Sequence, residues 1–169
     1  GLRCDMLSMN SGIRATALSR STRKIVLWAI VGMTPRDSGT LPFGHGLSYT
    51  TFTYGQNPVA SAKTMAADGT LTVTVAVKNT GSIAGKEIVQ LYVGDDKCSV
   101  LRPVKELKHF AKVALAPGEE KSVTFTLTPD DLKFYDEASA AWKYESGKFK
   151  AYVCASSADV RGVVSFEMQ

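Results

Sequence analysis

The chain predicts an all-β fold: an antiparallel two-sheet sandwich behind an irregular N-terminal arm. Three observations carry that expectation. Apolar and polar residues alternate with period two in separated runs, above all Leu71–Lys78 and Ser122–Thr128, and that period puts one face of a strand in a core and the other in water. Turn-forming clusters, Asn79-Thr80-Gly81, Pro117-Gly118-Glu119 and Ser146-Gly147, punctuate these runs. Helical spacing is nearly absent.

Taken in order, residues 1–40 scatter Ser, Thr, Arg and Gly without a period and read as an arm or the remnant of a preceding domain. Within them Ile25–Met33 is a nine-residue apolar run behind Arg20, Arg23 and Lys24. That is the order of a targeting signal, but no small-residue cleavage site follows. The run is also shorter than the ~20 residues that span a bilayer. A packed strand or short helix is the preferred reading. Residues 41–69 read as a connector and 70–169 as the sandwich proper.

In the sandwich, Leu71, Val73, Val75 and Val77 point inward from the first clear strand. Lys86–Val93 has few polar residues and reads as a central strand. A polar loop, 95–103, leads to an extended run over Glu106–Leu115. Val123, Phe125 and Leu127 face inward from the next strand, with Thr124, Thr126 and Thr128 outward. Short strands are expected at 132–136 and 141–144, then a strand after Gly147 with Phe149, Ala151 and Val153 on one face, and a last one over Val163–Met168. Seven or eight short strands with turns between them call for Greek-key connections.

Composition narrows the function classes. The chain has 169 residues, room for one domain and an appendage. Its net charge of +4 lies entirely in residues 1–40, because residues 41–169 hold 14 basic and 14 acidic residues. The β region therefore has no basic excess to attract nucleic acid, and no membrane partner is indicated. Cys4, Cys98 and Cys154 are odd in number and lack zinc-ligand spacing. Cys154 reads as a small buried hydrophobe, and a Cys98–Cys154 bridge stays open at this point.

Few residues offer chemistry. There is no phosphate loop, dinucleotide-binding glycine pattern, HExxH zinc motif or GxSxG elbow. Asp95-Asp96 and Asp130-Asp131 read as turn-formers and caps rather than as a calcium site or a glycosidase pair. His109 reads as an exposed strand residue. His45 stands between Gly44 and Gly46, where glycines allow a tight crossing, and it reads as a hydrogen-bonding contact across a seam rather than as a catalytic base. No metal, cofactor or catalytic residue is expected.

Four blocks carry a further signal: PFGHGLSYTTFTY (42–54), VAVKNTGSIAGKEIVQLYV (75–93), RPVKELKHFAKVALAPGEEKSVTFTLTPDDLKFYD (102–136) and the run from Trp142 through ESGKFKAYVCASSADVR (145–161). In this order they resemble the C-terminal fibronectin type III-like domain of glycoside hydrolase family 3, the β-glucosidases and β-xylosidases. The resemblance covers about residues 41–169. It implies an immunoglobulin-like sandwich, a preceding barrel that supplies the nucleophilic Asp, and an α/β domain that generally supplies the acid/base. It implies partners in those catalytic domains, a secreted or periplasmic parent, and hydrolysis of terminal β-D-glucosyl or xylosyl residues by that parent. No catalytic residue carries over. His45 with Gly44 and Gly46, and Tyr49 beside them, carry over as contacts between domains. Before residue 41 the pattern departs: TPRDSGT (34–40) stands where family members have a Gly-Tyr-Arg-type segment.

The function expected is therefore a non-catalytic accessory module that braces catalytic domains or contacts substrate. The alternative is a stand-alone module binding polysaccharide through Trp142, Tyr144, Tyr135 and Tyr152. For these aromatics core packing is the preferred reading.

Overall fold

The computed structural model describes residues 41–100 and 102–169. The arm, the apolar run Ile25–Met33 and Cys4 lie outside the described residues. Eleven strands are described: β1 (Phe52–Tyr54), β2 (Val59–Ala60), β3 (Thr64–Met65), β4 (Leu71–Asn79), β5 (Gly85–Asp95), β6 (Glu106–Leu115), β7 (Glu120–Leu127), β8 (Phe134–Asp136), β9 (Ala141–Lys143), β10 (Gly147–Cys154) and β11 (Val160–Met168). One helical turn, α1 (Pro129–Leu132), precedes β8.

The first sheet is built on β4. It pairs antiparallel with β7 from Leu71↔Leu127 to Lys78↔Glu120. Its other edge takes β1, with Phe52 opposite Asn79, and then β2, with Val59 opposite Thr74. β1 and β2 are thus two halves of one edge strand, interrupted at 55–58, where Pro58 has no N–H to give a ladder. The second sheet runs β3-β11-β10-β5-β6. All its pairings are antiparallel except β3 with β11, a parallel pairing of two residues. β8 and β9 form a separate two-stranded ribbon.

The all-β sandwich expected from the sequence is the fold observed. Leu71, Val73, Val75 and Val77 from β4 are buried, as are Val123, Phe125 and Leu127 from β7, facing Val89, Leu91 and Val93 of β5 and Phe149, Ala151 and Val153 of β10. Phe149 stacks on Phe166 with ring centroids 5.7 Å apart. Each buried Leu or Val side chain contributes about 1.5–3 kcal/mol relative to exposure, so these two inward rows stabilise the sandwich.

Within the sheets the structure departs from expectation in three places. Within the predicted 41–69 connector, β1–β3 join the sheets; strands of two or three residues are too short to show a period. The strand expected at 132–136 is present from Phe134, but Leu132 closes a helical turn: Pro129 opens α1, and the Asp131 carboxylate accepts from Thr128 N (2.8 Å) and Thr128 Oγ1 (2.9 Å). His109 is half-buried rather than exposed, with Nε2 3.3 Å from Asp131 Oδ2. The Cys98–Cys154 bridge that the sequence left open is absent: both thiols are free. Cys154 is buried in β10, and burial pushes its thiol up to about 11, so it packs as a hydrophobe.

Candidate docking site

The connector enters on a tight turn. His45 N donates to Pro42 O at 3.0 Å, and Gly44 takes a φ of +76°, the sign that the third residue of a type II turn requires. Glycine is needed here twice over, because a Cβ at Gly44 would overlap the Gln90 side chain. Gln90 lies buried on β5 and reads the turn through its amide. Its Nε2 donates to Gly44 O (3.4 Å) and Ala155 O (3.2 Å), and its Oε1 accepts from Tyr92 Oη at 2.7 Å. Ser157 N donates to Phe43 O at 2.8 Å. The entry of the connector is thereby fastened to β5 and to the end of β10.

Its exit is fastened by a second buried amide. Asn79 is fully buried at the end of β4. Its Oδ1 accepts from Thr50 Oγ1 (2.7 Å) and Gly81 N (3.0 Å), and its Nδ2 donates to Ile83 O (2.9 Å) and Leu115 O (3.1 Å). All four positions of the amide are used, so Asn79 is satisfied despite its burial. Gly81 has no side chain to push Thr50 away; a Cβ there would overlap Thr50 Oγ1. Thr80 N donates to Thr51 O at 2.9 Å, continuing the junction into β1.

Between these fastenings the side chains stand in water. Leu47 is 95% exposed and Tyr49 98%. Leu41 and Phe43 are mostly exposed as well. His45 and Gly46 are exposed, and among the described residues the His45 imidazole has neither hydrogen bond nor ion pair. A backbone held at both ends thus presents four large apolar side chains and one imidazole outward, an unusual local density of apolar surface.

The predicted surface aromatics separate into two groups. Tyr135 and Trp142 are cross-strand partners on β8–β9, edge to face at 5.7 Å and 69°. They are 50% and 66% exposed, so core packing does not hold for them. The ribbon lies outside both sheets, and nothing among the described residues covers that side. Core packing does hold for Tyr144, which is half-buried against the core cluster. Tyr152 is half-buried beneath Lys105.

The acidic groups are committed to local structure. Asp95, Cys98 and Glu145 bring their ligand atoms within 4.8 Å of one another. Glu145, however, accepts from Ser99 N (3.0 Å) and Ser99 Oγ, while Asp95 accepts from Lys97 N (2.9 Å) and faces Arg102 at 3.9 Å. A guanidinium beside the cluster and donors on its carboxylates make it a fastening for the 95–103 loop. Burial raises the Cys98 thiol, so it is not activated as a nucleophile. Arg102 also pairs with Glu106 at 3.3 Å, donates to Leu132 O at 3.2 Å and lies 5.4 Å from the centre of the Phe134 ring.

The connector was legible as a seam, but the residues that hold it were not singled out. Gln90 and Asn79 sit inside KEIVQLYV and VAVKNTG as polar exceptions in apolar strands. An amide in a run otherwise fit for a core is the signal that could have found them.

These geometries define a class: a sandwich domain with a fastened, apolar entry segment and no assembled catalytic group among the described residues. Residues 87–157 match the family model described as a fibronectin type III-like domain. The particular kind is the fibronectin type III-like domain carried by family 3 β-glucosidases. The chain is 62% identical over 126 residues to a β-glucosidase of Bacteroides ovatus, BoGH3A, a match covering 75% of this chain and 17% of that one. It is 43% identical over 120 residues to a periplasmic β-glucosidase of Salmonella typhimurium, covering 71% and 15%. A solved β-glucosidase from Listeria innocua in complex with glucose superposes with a TM-score of 0.68 at 43% identity, over 75% of this chain and 17% of the other. The chain spans about one sixth of the length of the curated relatives it matches.

Proposed function

We propose that this domain is a non-catalytic accessory module of a family 3 β-glycosidase. It docks against the catalytic domains through the connector, with Leu47, Tyr49, Phe43 and His45 as contacts and Gly44 and Gly46 shaping the approach. The observation that carries this reading is the contrast within residues 41–51. Their backbone is fastened by two buried amides, while Leu47 and Tyr49 are almost wholly exposed. Ordering a segment costs conformational entropy. Large apolar side chains held rigidly in water are suited to meeting a fixed partner surface.

The parent reaction is hydrolysis of terminal β-D-glucosyl or xylosyl residues, in a secreted or periplasmic enzyme. The periplasmic Salmonella relative supports that compartment. The chain alone is expected to be inactive on aryl β-glucosides and aryl β-xylosides; turnover above buffer by the pure protein would overturn the non-catalytic reading.

A second reading has a specific observation behind it. The exposed Tyr135–Trp142 pair could stack on sugar rings of a polysaccharide. The rings meet at 69°, so only one at a time can lie flat on a planar chain. Retention on insoluble cellulose or xylan that disappears in Trp142→Ala supports this reading, and no retention of the parent chain ends it.

A further inference from the structure

The outer face of β5 is covered by two crossing segments, and both leave apolar side chains outside. Val89, Leu91 and Val93 face the core, so Gln90, Tyr92 and Gly94 face outward. The connector crosses at Gln90. The second segment, 103–105, crosses at Gly94, where a Cβ would overlap Val104 O. This crossing lays Lys105 over the sheet with Nζ 5.2 Å from the Tyr92 ring centre and 5.5 Å from that of Tyr152.

Lys105 is only 8% exposed. Among the described residues its ammonium has no hydrogen bond and no ion pair. Two ring faces give an ammonium partial compensation, and a carboxylate set against it would add a charge-assisted contact. Around it the face is apolar and basic. Phe110, opposite Gln90 on β6, is 69% exposed. Ile88 and Val104 are partly exposed beside it. Lys86 and Lys112 stand exposed on the same face, and neither has an ion pair among the described residues.

We propose that the docking surface continues from the connector onto the outer face of β5–β6. Its occupant is the catalytic body of the same polypeptide, which sets an apolar patch on Phe110 and Ile88 and a carboxylate against Lys105. Three features select this occupant. The face is continuous with the connector through the Gln90–Gly44 hydrogen bond. The relatives carry about five sixths of their length beyond this module. The unpaired lysines gather on one face of a domain whose 14 basic and 14 acidic residues balance overall, so an acidic partner surface is the complement of that face. The proposal rests on the docking reading above and extends it to a second element.

The test uses two proteins: the 169-residue chain itself, and the Bacteroides ovatus β-glucosidase with its module replaced by residues 41–169. Phe110→Ser and Lys112→Glu are expected to shift the melting temperature of the chain alone by no more than about 1 °C and to lower that of the fused enzyme by about 4 °C or more. Lys105→Met is expected to lower both, and the fused enzyme further. Equal shifts in the two proteins for all three variants overturn the proposal; an equal shift for Lys105→Met alone overturns its carboxylate. The double variant Leu47→Ser/Tyr49→Ser separates the two readings. If it lowers the fused enzyme's melting temperature while the β5–β6 variants do not, the connector docks and the sheet face does not. If neither set acts, both readings fall.

Discussion

The connector and the β8–β9 ribbon both hold aromatic side chains in water, yet they are attached to the sandwich by opposite means. The connector is attached by neutral groups: the amides of Asn79 and Gln90 and the backbone of Phe43 and Gly44. Beyond the one buried side chain Phe134, the ribbon is held by charges. Arg102 lies over Phe134 and reaches Glu106 and Leu132 O, and within the ribbon Lys143 closes on Asp136 at 2.8 Å. Neutral amides buried at full satisfaction hold one geometry over a wide range of pH and salt. A partly exposed ion pair such as Lys143–Asp136 holds weakly and is screened. Exposed aromatics therefore do not by themselves mark a docking site. The difference lies in how firmly the backbone beneath them is held.

The strongest way to break the contrast is to remove a neutral fastening. Asn79→Ala leaves Ile83 O, Leu115 O, Gly81 N and Thr50 Oγ1 without their partner at a fully buried site. The expected loss is about 3 kcal/mol of unfolding free energy, since each buried orphaned group costs about 1–3 kcal/mol and some regain water. Urea unfolding measures it. Amide exchange at Thr50–Phe52 is expected to accelerate more than exchange at β7; uniform acceleration would mean that Asn79 serves the core and not the connector.

A smaller effect sharpens the same point, because the two glycines flanking His45 differ. Gly44→Ala places a Cβ into Gln90 at a positive φ, and about 2 kcal/mol is expected to be lost. A Cβ at Gly46 meets nothing within 4 Å, so Gly46→Ala is expected to change stability by less than about 0.5 kcal/mol. Thermal or urea unfolding of the pair decides it. Equal losses would remove the case that the entry turn is fitted to Gln90.

The two regions also differ in how well the sequence announces them. The inward rows of β4, β7 and β10 were legible because period two survives wherever one face meets the core and the other meets water. β5 was legible as central, but the reason it is buried on both faces was not. One covering segment, 43–44, lies far from β5 in sequence, and the other, 103–105, covers it only because the chain folds back after the 95–103 loop. The site divides in the same way. The glycines around His45 were visible, whereas Gln90, Asn79 and Lys105 act through contacts between separate blocks. Tyr135 and Trp142 read as core because aromatics in short strands usually are; only the placement of the ribbon outside the sheets exposes them.

On the charged side, Arg102→Met is expected to cost about 1.5 kcal/mol at neutral pH. The substitution keeps some packing on Phe134 but leaves Leu132 O and Glu106 without the guanidinium. The loss is expected to concentrate in α1 and the ribbon. Proteolysis between Asp136 and Ala141 should rise, while the connector amides keep their protection. Equal deprotection of Thr50 would erase the distinction between the two attachments.

The smallest effect is the most selective, because pH should act on one region alone. The Lys143 ammonium, with the Ser139 hydroxyl, holds the Asp136 carboxyl down to about 2, from an ordinary value of 3.8. Asp131 is also lowered: burial would raise it, but the hydrogen bonds from Thr128, with His109 alongside, outweigh that. Carboxyls lowered by folding contribute stability that is fully present above their ordinary values and is lost as pH falls through their folded ones. The ribbon should therefore loosen between about pH 4 and pH 2, while Asn79 and Gln90, which do not titrate, keep the connector in place. The Trp142 indole and the Thr50 and Gly81 amide signals, followed by NMR from pH 6 to pH 2, separate the two. Asp136→Asn should leave the ribbon loosened at every pH and flatten the Trp142 response. A connector signal that moved with the indole at the same midpoint would show that the two attachments are one cooperative unit, and that neutral fastening gives the entry segment no independence.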